Sequence, residues 1–171
     1  LGEASTLFDL KTPAAAEMEI IRSRSVISGA VDSSLLHIEA VPRYAPYVGG
    51  WLARRATGLS DPGFLGMPGY VTGTERISVR RFEVPVSLEG SQFVVTAEGD
   101  GRYTLRNPRL AEPLKGQVGK LLKVETAQGP VEMMIDVLAG KPGAEFYVTR
   151  QSRQATINGL QASLALSERS K

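Results

Sequence analysis

Beyond residue 75 the apolar residues change their period. From Arg76 to Arg150 they recur at every second position, in short runs about ten residues apart, the pattern of half-buried strands rather than helices. Ile77, Val79 and Arg81 alternate with Ser78, Arg80 and Phe82, so a strict period of two puts Phe82 opposite Ile77. Phe93 to Ala97, Arg102 to Arg106, Lys120 to Thr126, Val131 to Leu138 and Glu145 to Thr149 read as further strands. Within Glu98-Gly99-Asp100-Gly101-Arg102, the Asp-Gly pair accepts positive φ and predicts a tight hairpin. Ala127 to Pro130 and Gly140 to Gly143 predict looser turns. Regular short strands of this kind build a sandwich or a barrel.

The flanks read differently. Thr12 caps and Pro13 opens a helix through about Arg24, with Met18 and Ile21 on one face. Ser25 is placed to cap a second helix carrying Val26, Ile27, Ala30, Val31 and Leu35 and ending near Leu36. His37 to Val41 predicts a short strand stopped by Pro42. A third helix follows from Pro46, with Val48, Trp51 and Leu52 on one side and Arg54 and Arg55 in its last turn. Five glycines and two prolines between Thr57 and Thr74 predict a long irregular connection. After Arg150, Ser152 caps a helix to about Ser163 that carries Ile157, Leu160 and Leu164; Leu164 to Ser167 also alternates as a strand would. Helices, then strands, then a helix predict a β-rich block inserted between the halves of an α/β unit.

Chemistry is narrowed mainly by what the chain lacks. No cysteine and a single histidine exclude a disulfide framework, a Cys nucleophile and the usual nitrogen and sulfur zinc sites. Neither a Walker phosphate loop nor a G-x-G-x-x-G opening a helix occurs, and Gly99-Asp100-Gly101 lies between strands. No cofactor or metal is expected. Twenty basic against eighteen acidic residues leave a net charge of +2, with Lys and Arg spread along the chain, so a nucleic-acid partner is not expected. Apolar residues at 42% and charged residues at 22% exclude a wholly disordered chain. No window of about 18 uncharged apolar residues occurs, so no helix within these residues is expected to span a membrane. The start at Leu1, without methionine or a signal-peptide pattern, reads as that of an excised piece.

Asp32, Asp61, Asp100 and Asp136 are read as surface charge, since none is spaced for paired acid and base work. His37 is expected at the surface or on an edge strand. Tyr44, Tyr47, Trp51, Phe64 and Tyr70 fall in one stretch beside Arg43, Arg54 and Arg55. Helical spacing favours core for these aromatics, and a sugar-stacking platform is the functional alternative. The arginines at 76, 80, 81, 102, 106 and 109 are read as a solvated sheet face, with a basic anion-binding stripe as the alternative.

Several runs carry a family resemblance. They are Glu19-Ile20-Ile21-Arg22-Ser23-Arg24-Ser25-Val26, then Val31-Asp32, then Leu36-His37-Ile38, then Pro42-Arg43-Tyr44-Ala45-Pro46-Tyr47-Val48-Gly49-Gly50-Trp51-Leu52-Ala53-Arg54-Arg55. Arg81-Phe82-Glu83-Val84-Pro85, Asp100 to Leu105, Lys141 to Phe146 and Ile157-Asn158-Gly159-Leu160-Gln161 continue them. In this order and spacing the chain resembles the periplasmic domain of the Wzz-type chain-length determinants, and more narrowly the Wzc-like polysaccharide co-polymerases with tyrosine-autokinase activity. Ala45 stands where the family usually has phenylalanine.

The resemblance implies an α+β fold: a Wzz-like α/β base with helices at both ends, carrying an inserted antiparallel β-rich sandwich or jelly-roll-like module. Residues 1–75 are then one half of the base with its irregular connection. Residues 76–150 are the module, and 151–171 the returning helix and the start of a base strand. It further implies a non-catalytic periplasmic domain of a bacterial inner-membrane protein, tied to the membrane through flanking helices. Its protomers assemble into homo-oligomers that regulate the chain length and export of an exopolysaccharide or capsule, with the polymerase and export machinery as partners. A cytoplasmic tyrosine kinase belongs to the full-length protein. Tyr44, Tyr47, Trp51, Arg54 and Arg55 are the candidate glycan or oligomer contacts; the alternative is a β module that holds the polysaccharide directly.

Overall fold

The computed structural model describes residues 35, 37–152, 26, 27, 29 and 154–160. By their contacts the residues divide into two compact units, Leu1–Ser34 with Arg153–Lys171, and Leu35–Ser152.

Antiparallel strands dominate the second unit: β1 (Ile38–Pro42), β2 (Arg76–Glu83), β3 (Gln92–Gly99), β4 (Arg102–Arg106), β5 (Leu114–Gln117), β6 (Leu122–Thr126), β7 (Gly129–Ala139) and β8 (Glu145–Arg150). They form a five-stranded sheet, β1-β8-β3-β4-β5, and a three-stranded sheet, β2-β7-β6. At one margin β1 approaches β2, and at the other β5 approaches β6, giving a flattened, nearly closed sandwich. One apolar core lies between the sheets. β2 and β7 contribute Ile77, Val79, Phe82, Val131, Met133 and Ile135, and the facing strands contribute Phe93, Val95, Tyr103, Leu105, Phe146 and Val148. The alternation that predicts the strands is the alternation that fills this core.

Two local departures explain where period-two reading fails. In β2, Phe82 lies on the same inner face as Ile77 and Val79, and Arg81 points outward, the reverse of expectation. The cause is a register irregularity: Ser78 faces Val137, Val79 faces Ile135, and Arg81 faces Met134. A bulge adds a residue and restarts the alternation. Arg80 and Asp136, the residues passed over, pair with each other, Nε to Oδ2 at 2.9 Å. β5 is a strand that the sequence reading lacks. Leu-Lys-Gly-Gln has no β-branched or aromatic residue, and its place beside β4 depends on Gly116, where a Cβ would overlap the Tyr103 ring. The Asp-Gly hairpin between β3 and β4 is present, with Asp100 at φ 54° and Gly101 at φ 70°.

Polar groups tie the two sheets. From the end of β8, Arg150 donates through Nε to the Phe82 carbonyl at 3.0 Å and through Nη2 to Glu83 at 3.0 Å, linking the large sheet to β2. Of the two places expected for His37, the surface is not where it lies: it is buried directly before the edge strand β1, and its carbonyl accepts from the Gln151 amide at 2.8 Å.

The Thr57 to Thr74 connection is irregular, as its glycines predict, and Glu75 holds it. This carboxylate is 4% exposed; it accepts from the Ser60 amide at 2.6 Å, the Ser60 hydroxyl at 2.9 Å and the Gly73 amide at 2.9 Å. Buried hydrogen bonds to a charged acceptor each contribute about 1.5–3 kcal/mol, and removing the acceptor strands its donors. Glu75→Ala is expected to cost about 2–3 kcal/mol. Hydrogen exchange should accelerate first at the Ser60 and Gly73 amides, and unchanged protection there would contradict the clamp.

In the first unit, residues 26, 27, 29 and 154–160 are helical. Ile27 and Ile157 bury against each other, with Leu160 packed on them, in agreement with the apolar faces of the second and last predicted helices. Leu35, by contrast, sits in a turn at φ 55° rather than in the second helix. The helix expected over Thr12 to Arg24, the strand alternation at Leu164 to Ser167, and Asp32 lie outside the described residues. Among the described residues no helix is long and apolar enough to cross a membrane.

Candidate functional site

After β1 the chain leaves the sheet and immediately returns to it. Val71 donates to the Arg43 carbonyl at 2.9 Å and accepts from the Ala45 amide at 3.1 Å. Ala45 and Val71 are buried here. The predicted third helix is one short piece, α1 (Gly49–Ala53). Its only buried residue is Gly49, whose missing Cβ lets it sit against Tyr44 and Ala45.

The aromatics of this stretch are therefore not core. Tyr47 is fully exposed on left-handed backbone at φ 64°, and Trp51 is 52% exposed. Tyr44 and Val48 are exposed as well. A five-residue helix with one buried position has no inner face for them. Non-glycine residues in the left-handed region cost of order 1 kcal/mol and are held where the surroundings fix them. The Arg55 guanidinium stacks 4.1 Å from the Trp51 ring centroid, a cation–π contact that keeps the indole face partnered at the surface. Among the described residues no carboxylate pairs with Arg54 or Arg55, so this surface is apolar and positive together. Burial first, and then the Glu75 charge, raise the Tyr44 phenol above its ordinary pKa. Tyr44, Tyr47, Trp51, Arg54 and Arg55 thus share one exposed stretch. Phe64 and Tyr70 are half-buried and separate from it in chain position.

A second cluster forms on the outer face of the five-stranded sheet. Val41, Tyr147, Val94 and Arg106 stand side by side in one cross-strand row over β1, β8, β3 and β4. Glu145, one pleat away, takes Arg43 on one carboxylate oxygen and Arg106 on the other, the latter at 2.8 Å. Arg106 also donates to the Thr96 hydroxyl at 3.0 Å. The Arg43 guanidinium lies 4.1 Å from the Tyr70 ring centroid and 5.6 Å from that of Tyr147. Burial disfavours its charge, but hydrogen bonds to Glu145 and Tyr70 and the charges of Tyr147 and Glu145 outweigh that and raise its pKa. Gly69 leaves room for this arrangement, because a Cβ there would overlap the Glu145 side chain. An open groove of about 400 Å³ runs along Arg43, Val94, Arg106, Asn107, Pro108 and Glu145. Its residues come from three distant parts of the chain. Only the outward alternation of Arg106 on β4 is a local signal, and it does not reveal that β8 lies two strands away.

The remaining arginines do not make a stripe. Arg76, Arg80 and Arg81 lie on β2, in the other sheet from Arg102 and Arg106 on β4. Carboxylates stand beside several of them within each sheet: Arg80 pairs with Asp136, Arg102 with Asp100, and Arg81 and Lys123 share Glu132. The Lys123 hydrogen bond is the largest cause holding the Glu132 carboxyl below its ordinary pKa. Asp61 likewise meets Lys141 at 2.7 Å. Among the described residues no group of three or more His, Asp or Glu could hold a metal ion.

Comparison with known proteins locates these features. Residues 38–151 match the family described as tyrosine-protein kinase Wzc, N-terminal domain. EpsB of Ralstonia nicotianae, which carries a tyrosine-protein kinase name, is 47% identical over all of this chain and 23% of its own length. The tyrosine-protein kinase wzc of Salmonella typhi is 30% identical over 94% of this chain and 20% of its own. The tyrosine-protein kinase etk of Escherichia coli O157:H7 is 25% identical over 92% of this chain and 19% of its own. The chain thus spans about a fifth to a quarter of the length of these relatives.

Proposed function

The chain belongs to the family of Wzc N-terminal domains, and on that footing we propose that it is the periplasmic domain of a polysaccharide co-polymerase of the bacterial inner membrane. In this reading it sets the chain length and export of an exopolysaccharide or capsule by assembling protomers around the polymerase. It does so without catalysis of its own, the full-length protein carrying a cytoplasmic tyrosine kinase. The segments flanking the sandwich form an α/β base with helices at both ends. A fold hosts many functions, so the reading rests on a surface rather than on the family alone. The observation that carries it is the exposed stretch with Tyr47 and Trp51, the latter capped by Arg55. Exposed aromatic and arginine side chains are the residue types enriched at protein interfaces and their hot spots.

The test is light scattering on the membrane-embedded full-length protein. Wild type is expected as an oligomer, and the double variant Tyr47→Ser, Trp51→Ser as smaller species. Both side chains are exposed, so the fold should keep its stability to within about 0.5 kcal/mol. A wild-type protein that is monomeric at every concentration would contradict the proposal.

The same exposed indole supports a second reading, in which this stretch stacks on sugar rings and holds the polysaccharide. Oligosaccharide titration followed by Trp51 fluorescence decides it, and no change at millimolar sugar removes it.

A further inference from the structure

The geometry points to a binding cleft for carboxylate-bearing sugars, such as uronic acids, on the outer face of the five-stranded sheet, with Arg106 reading the charge and Tyr147, Val94 and Pro108 taking the ring. The inference rests on the polysaccharide reading above but places the contact on a surface remote in sequence from Tyr47 and Trp51.

Several observations carry it. The cross-strand row Val41, Tyr147, Val94, Arg106 sets apolar and aromatic side chains beside a guanidinium, on strands rather than on a mobile loop. Pyranose rings present apolar C–H faces and polar edges, so a flat apolar floor bordered by donors suits them. A groove of about 400 Å³ lies within the size range of small-ligand sites, and its open form suits a segment of a polymer. The charge also fits an acid. Arg43 and Arg106 share the single carboxylate of Glu145, so the cluster keeps one unneutralised positive charge. Arg106 uses Nη2 for both of its protein bonds, and its side chain is 50% exposed, which leaves guanidinium edge for a second carboxylate. Arg43, at 25%, is positioned by the Tyr70 and Tyr147 rings and by Glu145, which lowers the ordering cost when a ligand arrives.

Glu145 makes the proposal sharper, because it already occupies the position of a ligand carboxylate between two guanidinium groups. Removing its charge should therefore strengthen acid binding, whereas removing Arg106 should weaken it. Opposite signs from neighbouring residues are not what a purely structural ion pair would give.

The experiment follows amide chemical shifts and calorimetry of the 171-residue chain at low salt. The probes are tetragalacturonate, its fully methyl-esterified form and a tetraglutamate peptide. Tetragalacturonate is expected to move the amides of Val94, Arg106 and Tyr147. The ester should bind about tenfold or more weakly, as loss of one charge-assisted contact implies. The peptide, which keeps its carboxylates but has no pyranose face to lay on the apolar floor, should also bind about tenfold or more weakly. Arg106→Gln should weaken tetragalacturonate about tenfold with an unchanged unfolding midpoint, since exposed ion pairs stabilise little. Glu145→Gln should tighten it. Absence of shifts at these amides, equal binding of the ester, or equal binding of tetraglutamate would each overturn the proposal. Because this is read on the chain in solution and assembly on the full-length protein, failure of one is separable from failure of the other.

Discussion

Replacing Phe82 with alanine should lower the unfolding free energy by roughly 3–5 kcal/mol. Phe82 on β2 and Phe93 on β3 are both fully buried, and their rings meet edge to face, with centroids 5.0 Å apart and planes at 89°. β2 and β3 belong to different sheets, so this contact is made across the sandwich rather than along it. Truncation removes apolar burial, leaves a cavity between two hydrogen-bonded sheets that cannot simply collapse, and strips Phe93 of an aromatic partner. A double-mutant cycle with Phe93→Leu should show coupling of about 0.5–1.5 kcal/mol beyond the separate losses. Val86, 83% exposed in the turn beside the core, is the control: Val86→Ala should change stability by less than about 0.5 kcal/mol. Circular dichroism of the strands is the suitable probe, because Trp51 is half exposed and reports poorly on the core. A Phe82→Ala loss no larger than that of Val86→Ala would contradict the sandwich.

Gly116 and Tyr103 should give effects of opposite sign at one contact. A Cβ at Gly116 would overlap the Tyr103 ring, so Gly116→Ala forces β5 or the ring to move and should cost about 1–3 kcal/mol. Tyr103 itself is fully buried, and its hydroxyl has no hydrogen-bond partner among the described residues. An unpartnered buried hydroxyl carries a desolvation cost without return, so Tyr103→Phe is expected to be neutral or stabilising by about 1 kcal/mol. Burial also pushes the Tyr103 phenol above its ordinary value, up to about 12. The folded state thus keeps a proton that the unfolded state releases. Stability from this group is fully present below pH 10 and is lost as pH rises through 12. In Tyr103→Phe that alkaline decline should disappear, which denaturation at stepped pH will show. A clear loss of stability in Tyr103→Phe at neutral pH would mean that the hydroxyl is satisfied after all.

The strands were legible because one face of each is buried, and burial on one face writes itself as alternation. β3, β4, β7 and β8 lie close to where their apolar residues predict them. What alternation cannot carry is a slip in register or a contact made by backbone alone. The bulge at Arg80 and Asp136 reverses the expected place of Phe82, and β5 exists because a glycine admits a ring. The aromatic stretch misled for a different reason. Helical spacing implies core only when the helix is long enough to own an inner face, and α1 has five residues. The Arg43, Glu145 and Arg106 cluster was illegible in principle, since Arg43 and Glu145 stand 102 positions apart and no local pattern links them. Family resemblance supplied what physics could not, the likeness to Wzc, and the match over residues 38–151 bears it out.

The proposed control of polymer length through this surface is tested by the size distribution of the exopolysaccharide made by cells whose full-length protein carries Tyr47→Ser and Trp51→Ser. Both residues are exposed, so the protein should accumulate at normal levels. The expected result is a shifted or broadened length distribution at undiminished protein abundance. A wild-type distribution from the double variant would contradict the role assigned to this surface.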